Sequence, residues 1–207
     1  YFYLYHCYFG QKNVEKAKAI LMQGLTKYPG NSRIVEGLLA IYTSGEGDPK
    51  EVIPLVEKAI QNDPKNAGLY SGLGLVQDKL GNVDASIAAF AKAAELSPKD
   101  YSANFNLGLL YIKQGDKMNA DFSKKVFPTR EEYDAALAGA NKVYGEAIAP
   151  LERALSLKNG DPSAIELLKN LSFRLRDEPG MMDKYNKYNE MFKALPPQEA
   201  APAPAAQ

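Results

Sequence analysis

Only a few residues in this sequence have types and spacings that could carry out chemistry. His6 and Cys7 place a base next to a thiol nucleophile, Glu131 and Glu132 are adjacent carboxylates, and Gly72–Gly74 has the glycine spacing of part of a phosphate loop. A nucleophile and its base must lie within hydrogen-bond reach. Neighbouring helical residues point to different sides of the helix, so the first pair does not meet this requirement.

The context of the other two groups also argues against catalysis. The Gly72–Gly74 segment follows no strand, precedes no Lys-Ser/Thr pair and lies in a helical pattern, so we expect it to serve helix packing. The two glutamates fall at a solvated helix start. With one His and one Cys, the chain cannot form an internal disulfide or a Cys/His zinc site. We therefore predict no enzyme activity, no metal and no cofactor. We expect Cys7 to be a small buried residue and His6 a polar residue on a partly buried helix.

The overall charge narrows the class of partner. Lys plus Arg number 25 and Asp plus Glu number 25, so the chain lacks the electrostatic footprint of a nucleic-acid or anionic-membrane binder. No apolar run approaches the roughly 18 residues that a membrane span requires. We predict a protein or peptide partner, with no nucleic acid and no membrane span.

An internal repeat organises most of the chain. The unit Ala67–Asp100 is 34 residues long and has apolar residues at helical spacing on both sides of Gly81. It ends near Pro98, which cannot continue a helix. The following segment places Leu107–Gly108 at the positions of Leu73–Gly74. We expect the small residues Gly74 and Gly108 to let two helices of a pair approach closely.

This pattern resembles the tetratricopeptide repeat family. The residues that carry the resemblance in the best copy are Tyr70, Leu73, Gly74, Gly81, Phe90, Ala93 and Pro98. The resemblance implies an all-α, right-handed superhelical solenoid with the first helix of each pair on the concave side. We expect repeats at about 1–31, 32–66, 67–100, 101–160 and 161–195. A disordered Pro/Ala-rich tail is expected at 196–207.

The fourth repeat carries an insert at residues 117–143. Apolar residues recur every three or four positions on both of its sides: Met118, Phe122 and Val126, then Tyr133, Leu137, Ala140 and Tyr144. Thr129 and Glu132 have the spacing of a capping box, which predicts a helix start there. We expect two extended helices that project roughly 20 Å, with the return helix continuing to Leu155 and bent near Pro150.

Two roles are open for this hairpin. Its apolar stripes pack on each other without a ligand, which we favour, or the hairpin is an arm that contacts a partner. The insert also resembles, in combination with the segments Ala149–Leu157 and Leu168–Phe192, a group of bacterial envelope-associated tetratricopeptide proteins with a helical insert in the penultimate repeat. That resemblance implies a periplasmic or cell-envelope location, which the residues themselves do not show.

The predicted concave face supplies the candidate binding residues. They are the exposed positions of the first helices: Phe2, His6 and Phe9, then Arg33 and Glu36, then Ser71, Leu75 and Asp78, then Phe105, Leu109 and Ile112. For Phe2 and Phe9, contact with a neighbouring helix pair is the alternative. We predict a non-enzymatic scaffold that binds a peptide or protein segment on this face. The alternative is a structural module for self-association or envelope complex assembly, and a homo-oligomer is possible in that case.

Overall fold

The computed structural model describes residues 1–28, 31–46 and 48–196, so the tail expected at 196–207 lies outside the described residues except for Pro196. Within these ranges the chain is helical and has no strand. The helices are α1 Phe2–Gly10, α2 Val14–Lys27, α3 Ser32–Thr43, α4 Ile53–Asn62, α5 Ala67–Lys79, α6 Val83–Leu96, α7 Tyr101–Phe122, α8 Arg130–Glu146, α9 Ile148–Leu157, α10 Pro162–Arg174 and α11 Met181–Lys193, with a short 3-10 turn at Pro49–Glu51 before α4.

The helices pack as consecutive pairs that stack on one another. Helices α1 and α2, α3 and α4, α5 and α6, and α10 and α11 contact each other, and α7 contacts both α8 and α9. Successive pairs then meet through α2 and α3, α3 and α5, α6 and α7, and α9 and α10. One pair cannot bury its apolar face alone, so the stacking creates the core. The predicted right-handed α-α superhelical solenoid is confirmed.

The same capping device starts the first helix of four pairs. The side chains of Asn31, Asn66, Asp100 and Asp161 accept a hydrogen bond from the backbone N–H three residues later, at 3.2, 3.3, 3.1 and 3.0 Å. A short Asn or Asp side chain satisfies one of the free donors at a helix start. The repeated sequence therefore starts the first helix of each of these four pairs in the same way.

Two glycines allow the helices within a pair to pack closely, as expected. A Cβ atom on Gly74 would lie 2.5 Å from the Phe90 ring, and one on Gly108 would lie 2.5 Å from Leu151 Cγ. These distances are shorter than any normal carbon contact. Gly72, which is also on α5, lies equally close to Leu39 of α3. The Gly72–Gly74 segment therefore lets α5 pack closely against its neighbouring helices.

The insert extends α7 and adds α8, but not as two uniform helices. Helix α8 begins after Thr129, whose hydroxyl accepts from the Glu132 N–H at 3.2 Å, as expected. The expected continuous return helix is wrong, because α8 ends before Ala147 and α9 begins after it. Pro150 has no N–H to donate to the carbonyl of Glu146, which explains a break at this place.

The outgoing stripe also ends earlier than expected. Helix α7 stops at Phe122, and Val126, placed by periodicity on the packed side, is 95% exposed in the connection to α8. The stripes otherwise pack on each other: Phe122 lies 6.4 Å from Tyr133 between ring centroids, and both rings also contact Phe127. The regular spacing of apolar residues therefore predicted a helix about one turn longer than α7 is.

Candidate functional site

The predicted binding residues lie on α1, α3, α5 and α7, the first helices of their pairs. Together with α10, these helices present the surface that we call the first-helix face. Its exposed members among the predicted residues are His6, Arg33, Leu75 and Leu109, and its half-buried members are Phe2, Phe9, Glu36, Ser71, Asp78, Phe105 and Ile112. No predicted site residue is fully buried.

The α1 residues form one local aromatic cluster. The Phe2 and His6 rings meet edge to face with centroids 4.6 Å apart, and Tyr5 contacts the rings of Phe2, His6 and Phe9. Phe2 and Phe9 also pack against the cluster of buried residues that α1 to α5 form, which we call the N-terminal core. Cys7 is exposed, so the expectation that it is buried was wrong. It occupies the outer side of a helix that has no charged residue.

Two polar contacts fix neighbouring first helices to one another. Glu36 accepts a hydrogen bond at 3.0 Å from the amide nitrogen of Asn66, the residue that caps α5. Asp78 on α5 pairs with Lys113 on α7, with 2.5 Å between Oδ1 and Nζ. These contacts engage Glu36 and Asp78 within the protein. Surface pairs of this kind contribute about 0–1 kcal/mol, so a ligand could displace the second one.

An apolar strip lies between these polar contacts. Leu75 and Leu109 occupy equivalent positions on α5 and α7 and are 40% and 36% exposed. Phe105 stacks on Tyr101, with ring centroids 5.4 Å apart. The hydroxyl of Ser71 is buried and has no hydrogen-bond partner among the described residues. The strip therefore presents aliphatic side chains to solvent without offering a nucleophile activated by a base.

A cavity of about 260 Å³ opens where the hairpin joins the stack, and we call it the root cavity. Ile112 on α7 forms part of its apolar wall, with Leu167 and Leu171 on α10. Its polar rim consists of Asp116, Asn170 and Arg174, and Tyr144 of α8 lies at its base. Of the predicted site residues, only Ile112 lines this cavity.

Hydrogen bonds hold the Tyr144 side chain in place. Its hydroxyl donates to Asp116 at 2.7 Å and accepts from the Asn119 amide at 3.1 Å. Burial and the hydrogen bond to Asp116 raise the pKa of Tyr144 to about 12, although the charge of Arg174 acts in the opposite direction. The phenol is therefore neutral near pH 7 and remains a donor. The guanidinium carbon of Arg174 lies 4.1 Å from the centroid of the same ring.

Asp116, Asn170 and Arg174 are not among the residues that the sequence pattern predicted for the site. A signal was present, because Asp161 caps α10 as Asp100 caps α7. Carrying the alignment of first helices across the insert places Asn170 at the position of Leu109. Tyr144 had no comparable signal, since its hydrogen bonds depend on how α8 folds back on α7.

Neither a metal-ligand cluster nor a membrane-spanning helix is present among the described residues. In residues 1–28, 31–46 and 48–196, no three His, Cys, Asp or Glu side chains are grouped as a metal site would require. Over the same ranges, no helix combines the length and apolar character needed to cross a bilayer. The first-helix face and the root cavity together offer exposed aliphatic groups, a small cavity and the guanidinium of Arg174 over the Tyr144 ring, which are features that can bind a chain segment.

Comparison with known proteins decides the family. A family model described as "Tetratricopeptide repeat" matches residues 38–101 and 71–120. The chain therefore carries tetratricopeptide repeats over residues 38–120. Human "Tetratricopeptide repeat protein 16" is 34% identical over 76 residues, which are 37% of this chain and 9% of that protein. Bovine "BBSome complex member BBS4" is 26% identical over 139 residues, 66% of this chain and 27% of that protein. The chain thus matches only a minor part of these relatives.

Solved structures of repeat proteins share its fold. The MamA protein superposes with a TM-score of 0.68 at 20% identity, covering 97% of this repeat protein and 94% of MamA. YrrB, described as a tetratricopeptide repeat protein with an unusual peptide-binding site, gives 0.62 at 17% identity and covers 92% of this chain and 84% of its own. PilW, described as a type IV pilus biogenesis factor, gives 0.60 at 21% identity, with 92% and 73% covered. These similarities establish the solenoid and leave the ligand open.

Proposed function

We propose that this repeat protein is a non-enzymatic scaffold that binds a peptide or protein segment on the concave, first-helix face. One observation carries the proposal: Leu75 and Leu109 are 40% and 36% exposed at equivalent positions of successive first helices. Large aliphatic side chains that recur on one surface indicate a contact site when they form a contiguous patch. The repeated strip fits an extended or helical segment lying across several helices.

The family supports this proposal at a coarser level. Tetratricopeptide repeat proteins generally mediate contacts between proteins. YrrB, which shares the fold, is described as having a peptide-binding site. In this chain the first-helix face combines the apolar strip with a surface ion pair, Asp78 with Lys113, that a ligand can replace. None of these features performs chemistry on the bound segment.

The test is peptide capture by variants that place a charge in the strip. Leu75→Glu and Leu109→Glu each introduce a carboxylate where an apolar side chain of the ligand would pack, so we expect at least a tenfold loss of affinity. A phage-displayed library of random peptides selected on the intact chain supplies the probes, and fluorescence polarisation of the enriched peptides measures their affinity. Substitution of Phe105 is less suitable, because this half-buried ring packs against the C-terminal core, the cluster of buried residues that α8 to α11 form.

Leu157→Glu is the matched control. Leu157 is 39% exposed, like the two test residues, but it lies at the end of α9, a second helix. Thermal unfolding of the three variants should agree to within a few degrees. Enriched peptides that bind all three variants as tightly as the unsubstituted chain would locate the site elsewhere and refute the concave-face proposal.

A second candidate is self-association, or support of an envelope assembly, through α1. The observation that favours it is the composition of this helix, which has no charged residue and exposes Tyr3, Leu4 and Cys7 on its outer side, with Tyr3 87% exposed. A helix that is apolar all round is normally buried. Light scattering over a concentration series separates the candidates: monomers that capture peptides support the scaffold, and dimers formed without peptide support self-association.

A further inference from the structure

The root cavity has the features of a specificity site. We infer that it receives one aliphatic or aromatic side chain of the bound segment and that Arg174 pairs with a carboxylate next to that side chain. This inference rests on the proposed function, because the root cavity continues the first-helix face from α7 to α10. It adds the chemical class of the segment: an apolar anchor residue beside an acidic group.

The size of the cavity limits the occupant. Its volume of about 260 Å³ lies just below the roughly 300–1,000 Å³ typical of small-molecule and cofactor sites. It is large enough for one Leu, Met or Phe side chain. The walls supplied by Ile112, Leu167 and Leu171 are aliphatic. Side chains of this kind, inserted into a pocket of the partner, carry most of the binding free energy in many protein interfaces.

Arg174 supplies a charge that the protein leaves available. The side chain is exposed, and no ion pair among the described residues involves it. Its contact is with the face of Tyr144, at 4.1 Å. Stacking of a guanidinium on an aromatic ring keeps its N–H groups free for a carboxylate in the plane of the guanidinium. The ring thus orients the charge without neutralising it.

The platform under Arg174 is rigid. Tyr144 is 1% exposed and is held by Asp116 and Asn119 through its hydroxyl. A binding group that is already oriented loses less conformational entropy when the ligand arrives. The hairpin therefore has a defined part in this site, because α8 supplies Tyr144 and the extension of α7 supplies the two residues that hold it.

The rim also gives the segment a direction. Asp116 is a carboxylate near one edge of the cavity, bound to the Tyr144 hydroxyl, and Arg174 lies against the face of the same ring. An acidic group is repelled at the first position and attracted at the second. Asn170 lies one turn before Arg174 on α10, where its amide can bond to the backbone of the segment. The acid is therefore expected on the α10 side of the anchor.

The experiment uses the peptide library selected on the intact chain. Enriched peptides should carry Asp or Glu next to Leu, Ile, Met or Phe. For the best of them, Arg174→Ala should weaken binding roughly 10- to 100-fold, since the bond joins two charged groups. Arg174→Lys should retain only part of the affinity because an ammonium group lacks the planar fork. Arg176→Ala is the matched control, since Arg176 is an exposed arginine near the end of α10 that contacts Phe173.

The arms of the experiment separate the possible failures. Peptides with an amidated C-terminus that keep their affinity identify a side-chain carboxylate, and those that lose it identify a terminal one; both support the inference. Peptides that need Leu109 but bind Arg174→Ala unchanged, or that lack an acidic group, overturn the inference and leave the scaffold proposal intact. A selection that enriches no peptide dependent on Leu75 or Leu109 overturns both.

Discussion

Asp161 joins the last two helix pairs through three contacts. Its carboxylate accepts from the Ala164 N–H at 3.0 Å and from the Tyr101 hydroxyl at 2.9 Å, and it pairs with Lys158 at 2.8 Å. Burial alone would raise the pKa of this carboxyl, but the bonds from Lys158, Ala164 and Tyr101 outweigh it and lower the pKa below its usual value. The residue is 4% exposed, so an incomplete set of partners would be costly.

We predict that Asp161→Ala lowers the free energy of unfolding by about 2–3 kcal/mol, because it removes a cap and leaves the hydroxyl of the half-buried Tyr101 without its acceptor. Asp100→Ala is the control, since Asp100 caps α7 through the Ala103 N–H. It should cost about 1 kcal/mol. Urea unfolding of both variants measures the difference, and equal losses would show that the contacts to Tyr101 and Lys158 contribute nothing.

The lowered pKa also predicts a pH dependence. A carboxyl whose pKa is depressed by folding stabilises the protein above its unfolded-state pKa of about 3.9, and this contribution is lost as the pH falls through the folded-state value. Urea unfolding of the unsubstituted chain and of Asp161→Asn should therefore differ most above about pH 5 and converge at lower pH. Curves that remain parallel down to pH 2 would contradict the assignment of the ionised form.

At the scale of the helices, the glycines of α7 and α8 have opposite roles. A Cβ on Gly108 would lie 2.5 Å from Leu151 Cγ, and Leu151 is fully buried. A Cβ on Gly139, in the middle of α8, would lie 3.7 Å from Met118 Cε, which is an ordinary contact. The first glycine permits the close approach of α7 and α9, and the second only weakens the helix.

We therefore expect the same substitution to have opposite signs at the two positions. Gly108→Ala should lower the free energy of unfolding by about 1–3 kcal/mol, because α7 and α9 must separate to accommodate the methyl group. Gly139→Ala should raise it by about 0.4–1 kcal/mol, since alanine restricts the unfolded chain and favours helix. Urea unfolding measures both, and a stabilising Gly108→Ala would show that the contact with Leu151 is not limiting.

The helices show where sequence patterns suffice and where they fail. Helix starts at Asn66, Asp100 and Thr129 follow from local capping chemistry, which the sequence displays directly. Val126 continued a spacing of four residues, yet spacing alone does not reveal that the chain turns after Phe122. The stacking of Arg174 on Tyr144 joins residues from α10 and α8, and this contact depends on tertiary packing that no local pattern encodes.

Among the described residues, the helix pairs form a linear stack in which the main contacts join consecutive pairs. The N-terminal core contains Leu38 and involves α1 to α5, whereas the core around Leu168 involves α7 to α11. Stability in such a stack is approximately a sum of individual pair terms and neighbour interfaces. A defect at one end should therefore remain at that end, unlike a defect in a globular domain with a single core.

Leu38→Ala and Leu168→Ala provide the test, because both side chains are 0% exposed and each truncation should cost about 2–5 kcal/mol. In hydrogen exchange measured by mass spectrometry, Leu38→Ala should accelerate exchange in α1 to α4 and leave α10 and α11 unchanged. Leu168→Ala should do the reverse, because its neighbours are the C-terminal pairs. If either variant accelerates exchange evenly along the chain, the solenoid unfolds as one cooperative unit. A ligand bound at the root cavity would then stabilise α1 as much as α10, whereas in a linear stack its protection is confined to the C-terminal pairs.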